Sequence, residues 1–327
     1  MKESIMEISY RPLGRCGAKV STFGLGGWTT YGGSVQDQQQ VDRMLHLAFE
    51  HGVNFFDTAD IYDKGACEKA MGHGLKALPR HRIVLASKVF WPMSEDVNDR
   101  GLSRKHIVES VEKSLKRLGT DYLDIYFCHR FDGETPMLET LRAMDDLVRQ
   151  GKVVYWGTSE WTGAQLRQAH ALAREWRAYA PQVEQPQYSL LARGRFEGDV
   201  LPACEELGMG TVVWSPLASG LLSGKYAQGI PVGSRLEKHT WLHRALLKEE
   251  NLQRVARYSE LCGRYDLSPT QVALAWAADR WGVSSVILGA TTEEQLLENL
   301  GALDLSLDGA LREELEQIFA HCTQATD

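Results

Sequence analysis

Four polar side chains in this chain lie at or just past apolar runs, and their types suit proton delivery to a carbonyl oxygen. Asp57 follows Val53-Asn54-Phe55-Phe56, with Tyr62 five residues later; Lys88 follows Ile83-Val84-Leu85-Ala86-Ser87; His129 follows Leu123-Asp124-Ile125-Tyr126-Phe127-Cys128. A carbonyl under reduction gains negative charge on oxygen, so it needs an acid to protonate it and donors to stabilise it. Tyrosine, with an unperturbed pKa of about 10, is a weak acid near neutrality, and a nearby ammonium favours its phenolate. Lys88 can supply that charge, Asp57 can hold Lys88 protonated, and His129 can hydrogen-bond and orient the carbonyl. Lys88 could instead form a Schiff base, as in a barrel aldolase, but an adjacent carboxylate keeps the amine charged and disfavours this. Cys128 and His129 are strand neighbours that point to opposite faces, so they do not read as a thiol–imidazole pair.

Side chains from such distant segments meet only if the fold puts strand ends together. Short apolar strands are expected at 22–25, 53–56, 82–87, 122–127, 152–157, 182–185, 210–214 and 284–288. Between them, helices are expected at 36–51, 66–78, 103–118, 135–150, 162–178, 199–208, 248–264 with 269–280, and 292–301. Ile107, Val111, Leu115 and Leu118 form one apolar stripe on a charged helix, and Met137, Leu141, Met144 and Val148 repeat the pattern before Gly151. The strands are nearly continuous apolar runs, as parallel strands covered by helices require. Eight strand–helix units imply an α/β fold, a closed (β/α)₈ TIM barrel whose strand C-termini carry the site. An N-terminal β-hairpin is expected at 8–11 and 19–22, around Pro12-Leu13-Gly14-Arg15-Cys16-Gly17, and an extra C-terminal helix is expected after the barrel. The rival, a doubly wound sheet, would carry a glycine fingerprint. Gly24-Leu25-Gly26-Gly27 lacks the third glycine at the needed spacing and reads as a tight loop.

Composition narrows the function further. The 327 residues are 43% hydrophobic and 24% charged, ordinary for a soluble globular protein, and no linker divides them; residues 1–327 read as a single domain. Six cysteines without a C-x-x-C pair argue against a disulfide framework or zinc knuckle, leave no metal site to assign, and fit a reducing cytoplasm. The first ten residues lack the apolar core of a signal peptide, and no run reaches membrane-spanning length, so no membrane insertion is expected. A formal net charge of −7 without a basic block makes nucleic acid a poor partner. An anionic ligand must therefore be met by local cations. The segment Ser215-Pro216-Leu217-Ala218-Ser219-Gly220-Leu221 is a small-residue loop whose amides can approach a pyrophosphate, and Lys225 and Arg235 follow it. Thr292-Glu293-Glu294-Gln295 has capping-box spacing, so a helix begins there with its positive dipole end outward.

These motifs together resemble the aldo-keto reductase family, and within it the potassium-channel β-subunit-like branch. The resemblance is carried by Asp57-Thr58-Ala59-Asp60-Ile61-Tyr62, Ser87-Lys88 and His129, and by Gly101-Leu102-Ser103-Arg104-Lys105-His106-Ile107. Tyr155-Trp156-Gly157-Thr158-Ser159, Trp214-Ser215-Pro216-Leu217-Ala218 and Gly282-Val283-Ser284-Ser285-Val286-Ile287-Leu288-Gly289-Ala290 extend it from about residue 10 to about residue 305. It implies a barrel that binds NADPH and reduces aldehydes or ketones, with Asp57, Tyr62, Lys88 and His129 as the catalytic tetrad and Tyr62 as proton donor.

The resemblance also implies which residues meet the cofactor. Ser159 and Gln185 match the positions that bind the nicotinamide carboxamide, and Trp214 matches the aromatic that stacks on the nicotinamide ring. Trp28, Ser215, Pro216, Leu217, Ser219, Lys225, Arg235 and Gly289 complete the NADPH contacts, and Thr291, Gln295, Glu298 and Asn299 map to its 2′-phosphate and adenine end. Trp28, Trp91 and Trp161 lie in loops on the same face and are expected to wall a pocket for a small carbonyl substrate, short-chain, glyoxal-type or triose. Glu160 stands where the channel branch has an arginine and much of the wider family an asparagine. His129 stands where the channel subunits carry an asparagine, which favours a reductase over the alternative, an NADP(H)-binding redox-sensing accessory subunit of a potassium channel. A homo-oligomer is implied by the branch alone.

Overall fold

In the computed structural model, the described residues are 8–226, 230, 237 and 247–320. Two short antiparallel strands, β1 (Tyr10–Pro12) and β2 (Lys19–Ser21), form the expected hairpin, with Tyr10 opposite Ser21. Eight parallel strands follow: β3 (Phe23–Gly26), β4 (Phe55–Asp57), β5 (Val84–Val89), β6 (Leu123–Cys128), β7 (Val153–Ser159), β8 (Val183–Gln185), β9 (Gly210–Val213) and β10 (Val283–Leu288). They pair in sequence order, and β10 pairs with both β9 and β3, which closes the barrel. The fold is the (β/α)₈ barrel expected from the alternation.

The hairpin plugs the N-terminal end of the barrel. Leu13 and Val20 are fully buried and cluster with Phe55, Ile125, Phe127, Val183 and Val212, the inward residues of the strands. Outside the strands, a larger apolar layer packs them against α1 (Gln38–Glu50), α2 (Ala66–Leu75), α3 (Arg104–Leu118), α4 (Met137–Arg149), α5 (Gly163–Glu175) and α6 (Leu201–Leu207). Next come α7 (Glu249–Arg264), α8 (Pro269–Asp279) and α9 (Glu293–Leu300), and α10 (Gly309–Phe319) supplies the extra C-terminal helix. The stripe on α3 is buried through Ile107, Val111, Leu115 and Leu118, while its lysines and glutamates stay outward.

Boundaries follow capping chemistry. Ser103 accepts from the His106 amide to start α3, and Gly119, in the left-handed region, ends it. Thr162 and Gln165 form a full capping box at the start of α5. Gly24 and Gly26 lie within β3 rather than in a loop. A Cβ at Gly24 would come within 2.5 Å of the Phe55 ring, so glycine there serves close packing inside the barrel.

The register sets the site. Gly26 pairs with Asp57, Asp57 with Ala86, Lys88 with Phe127, Cys128 with Thr158 and Ser159 with Gln185. Asp57, Ser159 and Gln185 are the last residues of their strands, Lys88 is next to last, and His129 and Trp214 come immediately after theirs. All six therefore stand around one rim.

Candidate active site

The centre of the rim is an ammonium group with no exposed surface. Lys88 Nζ lies 2.6 Å from Asp57 Oδ2, 2.8 Å from the Thr58 carbonyl oxygen and 3.1 Å from the Tyr62 hydroxyl. Those contacts use the three N–H donors of a lysine. Burying an unpaired ammonium is costly, so Asp57 makes the position of Lys88 tolerable. The other Asp57 oxygen accepts from Gln185 Nε2 at 2.9 Å, and the Gln185 carbonyl accepts from Ser159 Oγ at 2.8 Å. Ser159, Gln185, Asp57, Lys88 and Tyr62 thus form one continuous chain of hydrogen bonds across four strand ends.

Tyr62 opens a 3₁₀ turn, Tyr62–Gly65, just past β4; Asp63 and Lys64 within it have left-handed φ of 46° and 50°. Its ring meets the His129 ring edge-on at 5.9 Å, and His129 meets Trp91 at 6.3 Å. The His129 amide donates to the Val89 carbonyl at 3.0 Å, which fixes its backbone to β5. His129 Nδ1 is buried without a hydrogen-bond partner among the described residues.

The electrostatics differ from the simplest expectation in one respect. The Tyr62 hydroxyl is held well above its ordinary pKa, first by burial and then by the negative charge of Asp57. Lys88 alone would lower it, as its type and place imply; the carboxylate that anchors Lys88 offsets the ammonium, and burial disfavours the phenolate. Tyr62 is therefore a protonated donor across the neutral range. Burial pulls Lys88 below its ordinary value, opposed by Asp57. Burial, with Lys88 and Arg130 next, holds His129 well below the usual imidazole range, so its ring is neutral near pH 7.

A second cluster lies across the rim. Trp214 and Trp28 meet edge-on at 5.8 Å, and Trp214 Nε1 donates to Glu160 Oε1 at 2.9 Å. The same Glu160 oxygen accepts from the Gln187 amide at 2.6 Å. Arg195 pairs with Glu160 Oε2 at 2.5 Å and also donates to the Glu160 carbonyl at 2.7 Å. Glu160 adopts a left-handed φ of 59°, an uncommon conformation for a residue with a side chain. The Glu160 carboxylate is thus neutralised by Arg195 and holds the Trp214 indole. Below it, Glu184 accepts from the Trp161 amide at 3.1 Å and from the Thr158 hydroxyl. Burial, aided by Glu160, pushes the Glu184 carboxyl up to about 8.

The loop after β9 is a tight turn of small residues. Leu217 is right-handed (φ −94°, ψ 11°), Ala218 and Ser219 are left-handed at φ 46° and 57°, and Gly220 follows at 91°. The change of hand from Leu217 to Ala218 turns the chain tightly, with the Ala218 and Gly220 amides donating to the Ser215 and Leu217 carbonyls at 3.0 and 2.9 Å, and left-handed non-glycine residues are costly. Ser215 is also left-handed, at φ 58°, and its hydroxyl accepts from the Ser219 amide at 3.3 Å, while Pro216 is buried behind the loop. A Cβ at Gly220 would fall 2.7 Å from Lys225 Nζ, so glycine lets the lysine reach the loop. Lys225 is exposed, over the Tyr226 ring at 5.2 Å, without a carboxylate partner among the described residues. Arg235 lies outside the described residues.

At the start of α9, Thr292 accepts from the Gln295 amide at 3.3 Å, but the return half of the expected capping box is absent. Gln295 Oε1 instead accepts from the amide and hydroxyl of Thr291, at 3.0 and 2.9 Å. Asn299 is buried and donates to the Gly289 carbonyl at 3.3 Å, and exposed Glu298 accepts from Ser268 at 3.1 Å. These four residues therefore stand together beyond β10. The three tryptophans separate. Trp91 is exposed beside His129 and Trp28 is half-buried beside Trp214, but Trp161 is only 1% exposed and packs on Phe131 at 5.1 Å. Trp161 is a packing residue in this structure, because the short loop after β7 folds it inward over Glu184.

Three residues at this rim escaped the sequence reading: Arg130, Glu184 and Arg195. Glu184 had a signal, a carboxylate inside an apolar strand; Arg130 had its place directly after His129.

Fold and site define a class, and the comparison with known proteins agrees. Residues 22–319 match the aldo/keto reductase family, and the chain belongs to it. It is 43% identical over 318 residues to a putative voltage-gated potassium channel subunit beta of Schizosaccharomyces pombe, covering 95% of this chain and 92% of that protein. Probable voltage-gated potassium channel subunits beta of Oryza sativa and Arabidopsis thaliana are 43% and 42% identical, over 91% and 95% of this chain and 92% and 97% of theirs. Among the described residues, no helix is long and apolar enough to cross a membrane.

Proposed function

We propose that this protein reduces small aldehydes or ketones to alcohols with NADPH, Tyr62 donating the proton. The observation that carries the reading is Lys88, bonded at once to Asp57 and Tyr62 at the C-terminal rim of the barrel. The residues present fit the cofactor. The small-residue turn at Ser215–Gly220 and Lys225, without a carboxylate partner among the described residues, suit a pyrophosphate, and the polar groups of Ser159 and Gln185 suit a carboxamide. Trp28 and Trp214 would flank the nicotinamide end, while Thr291, Gln295, Glu298 and Asn299, with Gly289, would hold the adenosine end. Bound there, NADPH would supply the hydride.

The chain's own groups supply the rest. His129, neutral and facing the Tyr62 ring, orients the carbonyl oxygen by a hydrogen bond. Tyr62, protonated through the neutral range, hands its proton to that oxygen as negative charge develops. The phenolate left behind is stabilised at once by Lys88, 3.1 Å away, so the ammonium acts after the transfer rather than by lowering the resting pKa.

The test follows NADPH oxidation against a panel of short aldehydes, glyoxals and sugar phosphates, with Tyr62→Phe as the control. The expected result is turnover by the wild-type chain, a fall of about 10²–10⁴-fold in the variant, and unchanged NADPH binding. An active Tyr62→Phe protein sinks the assignment. The names of the relatives support a second reading, an accessory subunit of a potassium channel. A stable channel complex with negligible aldehyde turnover would favour it.

A further inference from the structure

Arg130 is the first residue past His129, and the reductase reading gives it no task. Its Nη1 donates to the His129 carbonyl at 2.7 Å, and its guanidinium lies 5.6 Å from the centroid of the Trp91 ring. Its charge acts on both Tyr62 and His129. Four other partly buried arginines, Arg80, Arg117, Arg193 and Arg195, each meet a carboxylate oxygen between 2.5 and 3.1 Å away, while Arg11 is satisfied by the Ala278 and Val283 carbonyls. Arg130 meets none among the described residues, and the nearest electrostatic candidate, Glu160, is already taken by Arg195. A guanidinium has five N–H donors in a planar fork suited to carboxylate or phosphate, and one bond to a carbonyl leaves most of them unused. The chain carries a net charge of −7, so an anion reaching this rim needs such a local cation.

We propose that Arg130 is a specificity-determining residue that binds an anionic group on the substrate, a carboxylate or phosphate borne a few bonds from the reacting carbonyl. This rests on the reductase reading and narrows it to oxo acids and phosphorylated aldehydes. Trp91 stiffens the guanidinium by stacking, and the His129 carbonyl fixes one edge, leaving the other edge for the ligand. Holding the far end of the substrate would place its carbonyl near Tyr62 and His129 at little further entropic cost.

The experiment compares substrates that differ only in the anion: 4-oxobutanoate with butanal, and glyceraldehyde 3-phosphate with glyceraldehyde. In the wild-type chain the charged member of at least one pair should have kcat/KM higher by about ten-fold or more, the size expected of a charge-assisted hydrogen-bond pair. The difference should lie mainly in KM, and the favoured pair identifies carboxylate or phosphate. Arg130→Met should abolish that ratio whatever happens to the absolute rates, and Arg130→Lys should restore part of it. Calorimetry with 4-hydroxybutanoate and glycerol 3-phosphate on the full chain loaded with NADP⁺ gives a readout without turnover. Equal use of both members of each pair, or an undiminished ratio or affinity in Arg130→Met, overturns the proposal while leaving the reductase reading intact. If no aldehyde is reduced, that reading fails, and the calorimetric comparison alone decides whether Arg130 binds an anion.

Discussion

The indole N–H of Trp214 donates to the Glu160 carboxylate at 2.9 Å, tying the end of β9 to the end of β7. The carboxylate is itself clamped by Arg195 and the Gln187 amide, so the indole is held by a group that cannot easily move. An aromatic platform for a nicotinamide ring needs such fixation, since a freely turning indole would lose rotamer entropy on binding. Glu160→Ala should therefore weaken NADPH binding by roughly ten-fold, the worth of a charge-assisted hydrogen bond. Trp214→Phe keeps a ring but removes the donor. If Glu160 acts through Trp214, the two losses will be less than additive in the double variant when NADPH affinity is measured calorimetrically. Strict additivity would show that Glu160 serves Gln187 or Arg195 alone.

Removing one member of the buried pair should be felt in stability before it is felt in chemistry. Lys88 has no exposed surface and the Asp57 side chain is 4% exposed. Asp57→Ala leaves the amine without its carboxylate and should cost about 3–5 kcal/mol in urea unfolding. Replacing both, with Asp57→Leu and Lys88→Met, should recover part of that loss because the charge is gone. A single variant as stable as the wild type, with NADPH binding retained, would mean the pair is not structural.

Much of this was legible in the chain because of how a barrel is built. Asp57, Lys88 and His129 each break an apolar run at its C-terminal end, and parallel strands in a closed sheet bring those ends to one rim. What was not legible depends on side chains meeting across the rim. Arg195 lies 35 residues from Glu160, and nothing in the spacing shows that a left-handed φ at Glu160 turns its carboxylate toward Trp214. Likewise, Gln295 bonds Thr291 rather than the Thr292 amide, a one-residue difference in the side-chain partner that the motif cannot reveal. Adjacency to Lys88 also carries no information about burial, which sets the upward direction of the Tyr62 shift.

His129 offers a titration that separates positioning from acid catalysis. Burial, Lys88 and Arg130 all hold its ring well below the usual imidazole range. A depressed folded pKa contributes stability that is present above the unfolded value of about 6.5 and lost as pH falls toward the folded one. The ring should therefore stay neutral at pH 6 in ¹⁵N-detected histidine spectra, and kcat/KM should show no acid limb near 6.5. A His129 resonance titrating between pH 6 and 7 would make it a plausible acid in its own right.

Glu184 runs the other way. Its carboxyl is pushed up to about 8 by burial and by Glu160, with the Thr158 hydroxyl bond, the Trp161 amide and Arg195 opposing. A raised folded pKa means the folded chain holds a proton that the unfolded chain gives up near 4.5. Stability from this group is thus fully present below pH 4.5 and is lost as pH rises through 8. Glu184→Gln mimics the protonated acid: its carbonyl can accept from the Trp161 amide and its NH₂ can donate to Thr158. The variant should gain on the wild type as pH rises from 5 to 9, by on the order of 4 kcal/mol, in urea unfolding at each pH. A constant difference across that range would mean that Glu184 is ionised at both ends, with Arg195 compensating its charge more strongly than burial opposes it.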